Sequence, residues 1–152
     1  MIKRNLISFS AILIFIYLTV LPVHAKVSPE IEAQTVEATL LWVTVIDQGL
    51  YEQGWLQTSE QFREIVSKEE WIKQLTDVRL PLGEVKSREV YDIGYFGNIP
   101  NHPGMEMVVV QFQTSFHNKE LAYETISPVR IKGGPWKISG YYIADSVDIK
   151  DQ

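Results

Sequence analysis

The chain has 152 residues, with 14 lysines and arginines against 19 aspartates and glutamates, so its formal net charge is −5. It contains no cysteine, which excludes a disulfide framework, a thiol nucleophile and a cysteine-ligated metal. An acidic chain without a basic stripe is a poor match for nucleic acid, because contacts to phosphate dominate that affinity. The same charge disfavours electrostatic attachment to an anionic membrane surface.

The N-terminus has the three parts of a secretory signal peptide. Lys3 and Arg4 form a basic start, and an apolar run extends from residue 6 to residue 21. The small-residue motif Val23-His24-Ala25 follows. We therefore predict cleavage between Ala25 and Lys26, and a mature protein that is periplasmic or secreted by a bacterium. The alternative is a retained membrane anchor, although the run is shorter than the ~20 apolar residues of a spanning helix.

Residues 26–152 are predicted to form one domain, with a core from about residue 28 to residue 146. Its first helix begins at Ser28-Pro29-Glu30, where serine suits the cap and proline the first turn. Apolar residues then recur at helical spacing up to Gly49, which suits the C-cap. Leu40 and Leu41 widen the apolar stripe, which we expect to lie on a sheet.

Two further helices are predicted after the first. Residues 51–55 have the pattern of a turn or a short helical link. Thr58 or Ser59 then caps a second helix, which runs to about Val66. The motif Ser67-Lys68-Glu69-Glu70 is a capping box, so it starts a third helix that ends before the Pro-Leu-Gly turn.

From Glu84 onward, the period of the apolar residues changes from helical to strand-like. Four strands are predicted, with the sequences VKSREVYDIGYF, MEMVVVQFQTSF, LAYETISPVRIK and PWKISGYYIA. Pro128 in the third strand indicates an edge strand or a bulge. Three helices followed by four antiparallel strands predict an α+β fold, with the helices on one face of a curved four-stranded sheet.

The alternation within the strands assigns their faces. One row of the second strand is assigned to the core: Val108, Val110, Phe112, Thr114 and Phe116. In the fourth strand, Trp136, Ile138 and Tyr142 are predicted to share a face.

The sequence predicts no cofactor, no metal site and no catalytic constellation. His102 and His117 lie in different connections and outside any metal-binding spacing, so they are interpreted as exposed loop residues. Glu106 and Glu124 could approach each other across neighbouring strands. They are nevertheless interpreted as solvated carboxylates, because no group that would perturb them is evident.

Aromatic residues are the first candidates for a binding site. Tyrosine and tryptophan combine a large apolar ring with a polar tip, so such residues can line a pocket between helices and sheet. The set is Tyr51, Trp55, Tyr91, Tyr95, Trp136, Tyr141 and Tyr142. The alternative is ordinary packing, since aromatic residues are enriched in strands anyway.

Arg79 and Arg88 are the second candidates. Arg79 falls in the last predicted turn of the third helix, where a cation can bond the free carbonyls. Arg88 lies within a strand, where a planar guanidinium often pairs with a carboxylate. The predicted partners are Asp47, Glu52 and Asp77. The alternative is that Arg88 and Arg79 bind an anionic or carboxylate-bearing ligand.

Several short motifs occur together along the chain. They are Trp42 to Asp47, Tyr51-x-x-x-Trp55, Phe62-Arg63, Trp71, Arg79-x-Pro81-Leu82-Gly83 with Arg88, Thr114-Ser115-Phe116-x-Asn118-Lys119 with Glu124, and Gly134-x-Trp136-x-x-x-Gly140-Tyr141. In this combination the chain resembles the bacterial family catalogued as domain of unknown function 4019, over about residues 37–143. One departure is Gly-Pro-Trp, where the family pattern suggests an acidic turn residue before the glycine.

The resemblance implies an exported bacterial protein with an α+β domain, and it supplies no catalytic residues. The order of elements is also similar to the cone-shaped cystatin-like or nuclear-transport-factor-like class, in which a curved sheet and helices can enclose a pocket. Fold similarity of this kind says little about function.

Three functions stay open from the sequence. The first is a non-catalytic module of the cell envelope that binds a small ligand or a protein partner. The second is a small enzyme with a pocket between the helices and the curved sheet. The third is a structural envelope protein that interacts through the edge of its sheet.

Overall fold

The computed structural model of the protein describes residues 27–97 and 99–145. In these ranges four α-helices precede four β-strands, which confirms the α+β arrangement. The elements are α1 (Pro29–Asp47), α2 (Tyr51–Leu56), α3 (Glu60–Ile65), α4 (Lys68–Val78), a 3₁₀ turn (Leu80–Leu82), β1 (Val85–Phe96), β2 (Met105–Phe116), β3 (Ala122–Ile131) and β4 (Lys137–Ala144). The predicted cleavage site at Ala25 and Lys26, and the tail after residue 145, lie outside the described residues.

Helix α1 begins and ends at the predicted signals. The Ser28 hydroxyl accepts a hydrogen bond from the Ile31 amide at 3.3 Å, and Gly49 follows the helix with a φ of 74°. The prediction for Leu40 and Leu41 was wrong, since they are 39% and 67% exposed. At about 100° per residue, these leucines point away from the buried stripe. That stripe consists of Thr35, Thr39, Trp42, Val43 and Ile46.

Three further α-helices follow α1 in the described residues, where two were predicted. The segment interpreted as a turn or short helical link is helix α2, so the count of helices is four and not three. Gly54 lets α2 approach α1 closely, because a Cβ at this position would clash with the side chain of Ile46. Ser59 caps α3, and the predicted capping box of Ser67 and Glu70 starts α4.

The sheet has the order β1-β2-β3-β4, with every neighbouring pair antiparallel. Strand β3 is therefore internal, so the edge alternative for Pro128 was wrong, whereas a register shift next to Ile126 confirms the bulge. This irregularity also overturns one face assignment. Ile138 lies opposite Pro128 and Tyr141 lies opposite Ile126, so Tyr141 and not Tyr142 shares the helix-facing side with Ile138.

The core lies between the helices and one face of the sheet. The row of β2 assigned to it is confirmed, since all five of its side chains are at most 1% exposed. Helix α1 packs on β2, β3 and β4. The helix-facing side of β1 is left partly uncovered, and Val90, which lies opposite the buried Phe112, is 46% exposed.

Candidate functional site

Asp47, at the C-terminal end of α1, receives hydrogen bonds from both candidate arginines. Arg79 caps the C-terminus of α4 and donates from Nη2 to Asp47 Oδ1 at 3.0 Å. Arg88 reaches the same carboxylate from β1 with two bonds, at 2.7 Å and 3.0 Å. Asp47 is thus a confirmed partner of Arg88.

The other two predicted partners of Arg88 were wrong. Glu52 pairs with Lys68 at 2.8 Å, and Asp77 pairs with Lys73 at 2.5 Å, both on the helix surface. These carboxylates are more than half exposed, so water and local lysines satisfy them.

The second partner of Arg88 is Glu124, the third residue of β3. Arg88 donates to its two carboxylate oxygens at 2.6 Å and 3.2 Å. The hydroxyls of Thr114 and Tyr141 each donate to one of those oxygens at 2.5 Å. Glu124 is fully buried, so the interpretation of it as a solvated carboxylate was wrong. Burial is tolerated because each of its oxygens accepts two hydrogen bonds.

We call this group of side chains the buried ion network. Its members are Asp47, Arg79, Arg88, Thr114, Glu124 and Tyr141. Two guanidinium groups face two carboxylates, so the charges balance within the network. The network joins α1 and α4 to all four strands of the sheet and thereby fixes the helices against it.

The electrostatics favour charged arginine and neutral tyrosine in this network. Burial opposes the charged form of Arg88, but hydrogen bonds to Asp47 and Glu124 outweigh it and raise the pKa of Arg88. Burial, together with the neighbouring Glu124 charge, raises the pKa of Tyr141 well above its ordinary value of 10.0. Tyr141 is therefore held as a hydrogen-bond donor.

Arg79 is more deeply buried than its carboxylate partner, since the side chains of Arg79 and Asp47 are 4% and 21% exposed. Its Nη1 donates to the Gly83 carbonyl at 2.7 Å, and its guanidinium lies 4.6 Å from the ring centre of Phe116. Its Nε has no hydrogen-bond partner among the described residues, but the residue is only 3% exposed. The guanidinium therefore presents almost no surface to a ligand in solvent.

The predicted aromatic residues do not converge on one pocket. Tyr141 packs edge-on against Trp42 at 5.5 Å, and Trp42 contacts Trp71 at 6.0 Å. Tyr51 lies beside this cluster, where its carbonyl accepts a hydrogen bond from the Trp71 indole at 2.9 Å. Burial raises the pKa of Tyr51. This part of the set is core packing.

The other aromatic candidates lie in separate places. Trp55 donates from its indole to the Val66 carbonyl at 2.9 Å. Tyr91 stacks edge-on with Tyr123 on the face of the sheet away from the helices. Trp136 lies under the guanidinium of Arg130 at 4.4 Å. Ligand binding by the predicted residues stays a prediction, and it would require different surfaces for different members.

A second polar cluster lies at the other end of α1. Glu106 accepts a hydrogen bond from Tyr95 at 2.6 Å and one from Arg130 at 2.6 Å. Arg130 and Trp136 also donate to the side-chain oxygen of Gln34, at 3.3 Å and 3.4 Å. The Tyr95 hydrogen bond, with Arg130, lowers the pKa of Glu106, and the same bond raises the pKa of Tyr95.

Glu106 and Glu124 do not approach each other as predicted. Glu106 lies opposite Arg130, whereas Glu124 lies opposite Phe112, six positions further along β2. Each carboxylate belongs to its own cluster, and Glu106 is only 9% exposed.

An open groove lies between α1 and the edge strand β1, and we call it the α1–β1 groove. Its volume is about 590 Å³. The lining comes from one flank of α1 and from the helix-facing side of β1: Pro29, Glu32, Ala33, Val36, Glu37, Leu40, Leu41, Val90 and Ile93. Seven of these nine residues are apolar, and two are glutamates at the N-terminal half of the helix.

In residues 27–97 and 99–145, the structure does not support a metal site or a membrane-spanning helix. Within these ranges no three acidic or histidine side chains are grouped as metal ligands. His102 and His117 lie in separate connections, as predicted. No helix in the same ranges is long and apolar enough to cross a membrane.

A family model described as "Protein of unknown function (DUF4019)" matches residues 38–141. The chain belongs to this family. All six members of the buried ion network fall within the region that DUF4019 covers. A search of curated proteins found no match.

Sequence reasoning about this DUF4019 protein missed Glu124 and Thr114 as parts of the network. A signal was present, because Glu124 occupies the alternate position between Ala122 and Ile126, both of which are fully buried. A carboxylate in that row must face the core and therefore requires a cation. Arg88 was the candidate cation, but only the register of the sheet shows that the two meet.

Proposed function

We propose that the protein is a non-catalytic module of the bacterial cell envelope that binds a ligand or a protein partner in its α1–β1 groove. One observation carries the proposal, namely the second apolar stripe on α1. Val36, Leu40 and Leu41 lie on this stripe, outside the buried one, and Val90 and Ile93 face it from β1. Apolar surface gathered in a groove of this size is typical of binding sites.

The buried ion network supports a structural role for its carboxylates. A general acid or base must come within hydrogen-bond reach of its substrate. Glu124 has no exposed surface, and its oxygens already accept four hydrogen bonds. The network is therefore better suited to holding α1 in place, which in turn keeps one wall of the groove rigid.

The N-terminal sequence supports a location in the envelope. Lys3 and Arg4 precede an apolar run and a small-residue cleavage motif, which is the arrangement that directs a bacterial protein to export. Comparing the mass of the protein from the cell with that of the full chain tests this part. A mass that corresponds to a chain beginning at Lys26 supports export and cleavage. A full-length chain found in the cytoplasm contradicts both.

Nile red, an uncharged dye that fluoresces in apolar surroundings, tests the groove itself. The variant is Leu40→Ser and its matched control is Leu50→Ser, since the two leucines are 39% and 38% exposed and Leu40 lines the groove. Losing part of one leucine contact should weaken dye binding about fivefold. Each protein is purified from cells that express the full chain, and circular dichroism verifies its fold. Equal dye affinities for the two variants would contradict the proposed site.

A further inference from the structure

Beside α1, the helix layer leaves part of the helix-facing side of β1 uncovered. A helix packed against α1 there would lie about 8–10 Å from it, which is about the width of two strands. Helix α1 covers β2, β3 and β4, while Val90 on the helix-facing side of β1 is 46% exposed. From Pro29 to Leu41, the groove follows α1 for about 18 Å, or three turns.

The form of β1 disfavours an added strand as the occupant. An extended segment would need continuous backbone pairing along the edge of β1. The register of β1 shifts between Val90 and Asp92, which places a bulge directly between the groove residues Val90 and Ile93. A bulge interrupts pairing and is a common protection of sheet edges. A helix satisfies its own backbone groups and does not depend on that edge.

The charge of α1 restricts what the added helix can carry. The helix from Pro29 to Asp47 contains no lysine or arginine and has glutamates at positions 30, 32 and 37. Glu32 and Glu37 line the groove. A second copy of this helix would place acidic residues against acidic residues, which is unfavourable at close range. A helix with lysine or arginine beside its apolar stripe would be complementary.

We propose that the α1–β1 groove binds an amphipathic helix of a partner protein, with apolar residues against Val36, Leu40 and Ile93 and basic residues facing Glu32 and Glu37. This assignment rests on the proposed function, because it names the partner class of the same groove. The apolar contact supplies affinity, and the acidic side chains select for a cationic partner and speed its encounter with the groove.

Three synthetic peptides of about 14 residues test the assignment. The first has leucines at helical spacing i, i+3, i+4 and i+7, with lysines elsewhere. The second replaces each lysine with glutamate, and the third distributes the same leucines and lysines around the whole helix. Fluorescence anisotropy of labelled peptides measures their binding to the purified protein at low and moderate salt. We expect the first peptide to bind at least tenfold more tightly than either of the others.

Variants separate the charge from the apolar contact. The double variant Glu32→Gln with Glu37→Gln should weaken binding of the lysine peptide about fivefold and reduce its salt dependence. The matched control is Glu60→Gln with Glu64→Gln, which makes the same charge change on exposed positions of α3. The control should leave the affinity within about twofold of the wild type, because screening limits distant charges.

The outcomes distinguish this inference from the proposed function. The lysine and glutamate peptides could bind with equal affinity, and Leu40→Ser could weaken the binding of both. That result would overturn the cationic character of the partner and leave the groove as a binding site. If no peptide binds but Leu40→Ser still weakens Nile red binding, the helical partner is overturned and the groove remains a binding site. Loss of both responses would overturn the groove. A concentration-dependent dimer that Leu40→Ser dissociates would assign the groove to a second copy and overturn the partner proposed here.

Discussion

Arg88 is predicted to stabilise the fold rather than to bind an anion from solvent. It makes four hydrogen bonds to Asp47 and Glu124, at distances from 2.6 Å to 3.2 Å, and its side chain is 9% exposed. Arg88→Met removes all four bonds and keeps most of the apolar stem. Asp47 then retains Arg79, whereas the fully buried Glu124 retains only two neutral hydroxyl donors.

The expected cost follows from the stranded carboxylate. Breaking a buried ion pair by removing one partner costs about 3–5 kcal/mol, and we expect about 3 kcal/mol because the two hydroxyls still serve Glu124. For a chain of this length the corresponding fall in the unfolding midpoint is about 10 °C. Urea unfolding, followed by tryptophan fluorescence, measures the free energy of unfolding. The slope of that free energy against urea concentration should be the same in the variant and the wild type, so that the two values can be compared.

Lys73→Met is the control for this prediction. It removes an exposed pair with Asp77, in which the side chains are 76% and 56% exposed. Such pairs contribute less than about 0.5 kcal/mol. The reasoning fails if Arg88→Met costs no more than the control. In that case Arg88 does not stabilise the fold. Residues kept for function often behave in this way, so Arg88 would then be a candidate for ligand binding.

Three further predictions concern single contacts. Ser59→Ala should lower the free energy of unfolding by about 1 kcal/mol, measured with urea, because it removes the cap of α3; no change would contradict the capping role. The lowered pKa of Glu106 adds stability that is present above its ordinary value of 4.5 and is lost as the pH falls through the folded pKa. Glu106→Gln should therefore flatten the acid side of a plot of stability against pH, and an unchanged slope would contradict this. The raised pKa of Tyr141 makes stability fall as the pH rises above 10.0, so Tyr141→Phe should flatten the alkaline side, and an equally steep loss would contradict the assignment.

Local signals account for the parts of the fold that the sequence predicted. The Ser28 cap and the capping box at Ser67 mark helix starts through contacts within four residues. The alternation around Phe112 identified the buried row of β2, since one-sided burial imposes a period of two. Each of these features depends on neighbours in the chain.

The missed features depend on residues far apart in the chain. Leu40 and Leu41 fit the apolar stripe of α1 in sequence, but their exposure depends on the helix leaving β1 uncovered. Glu124 was taken for a surface carboxylate because its cation comes from Arg88, 36 residues earlier. The contact between Arg88 and Glu124 depends on two strand registers, that of β1 with β2 and that of β2 with β3. Registers of this kind are set by long-range pairing, so patterns within a single segment did not reveal them.

Helix α1 is tied to the sheet at both ends, by Gln34 to Arg130 and Trp136 and by Asp47 to the buried ion network. The two anchors lie 13 positions apart along the helix (47 − 34). Inserting or deleting one residue between them would rotate one anchor by about 100° relative to the other. Apolar packing alone could absorb a small slide of the helix, but paired hydrogen bonds at both ends could not. Changes of length during evolution are therefore expected in the turns between strands, such as the one at Gly133, and not within this helix.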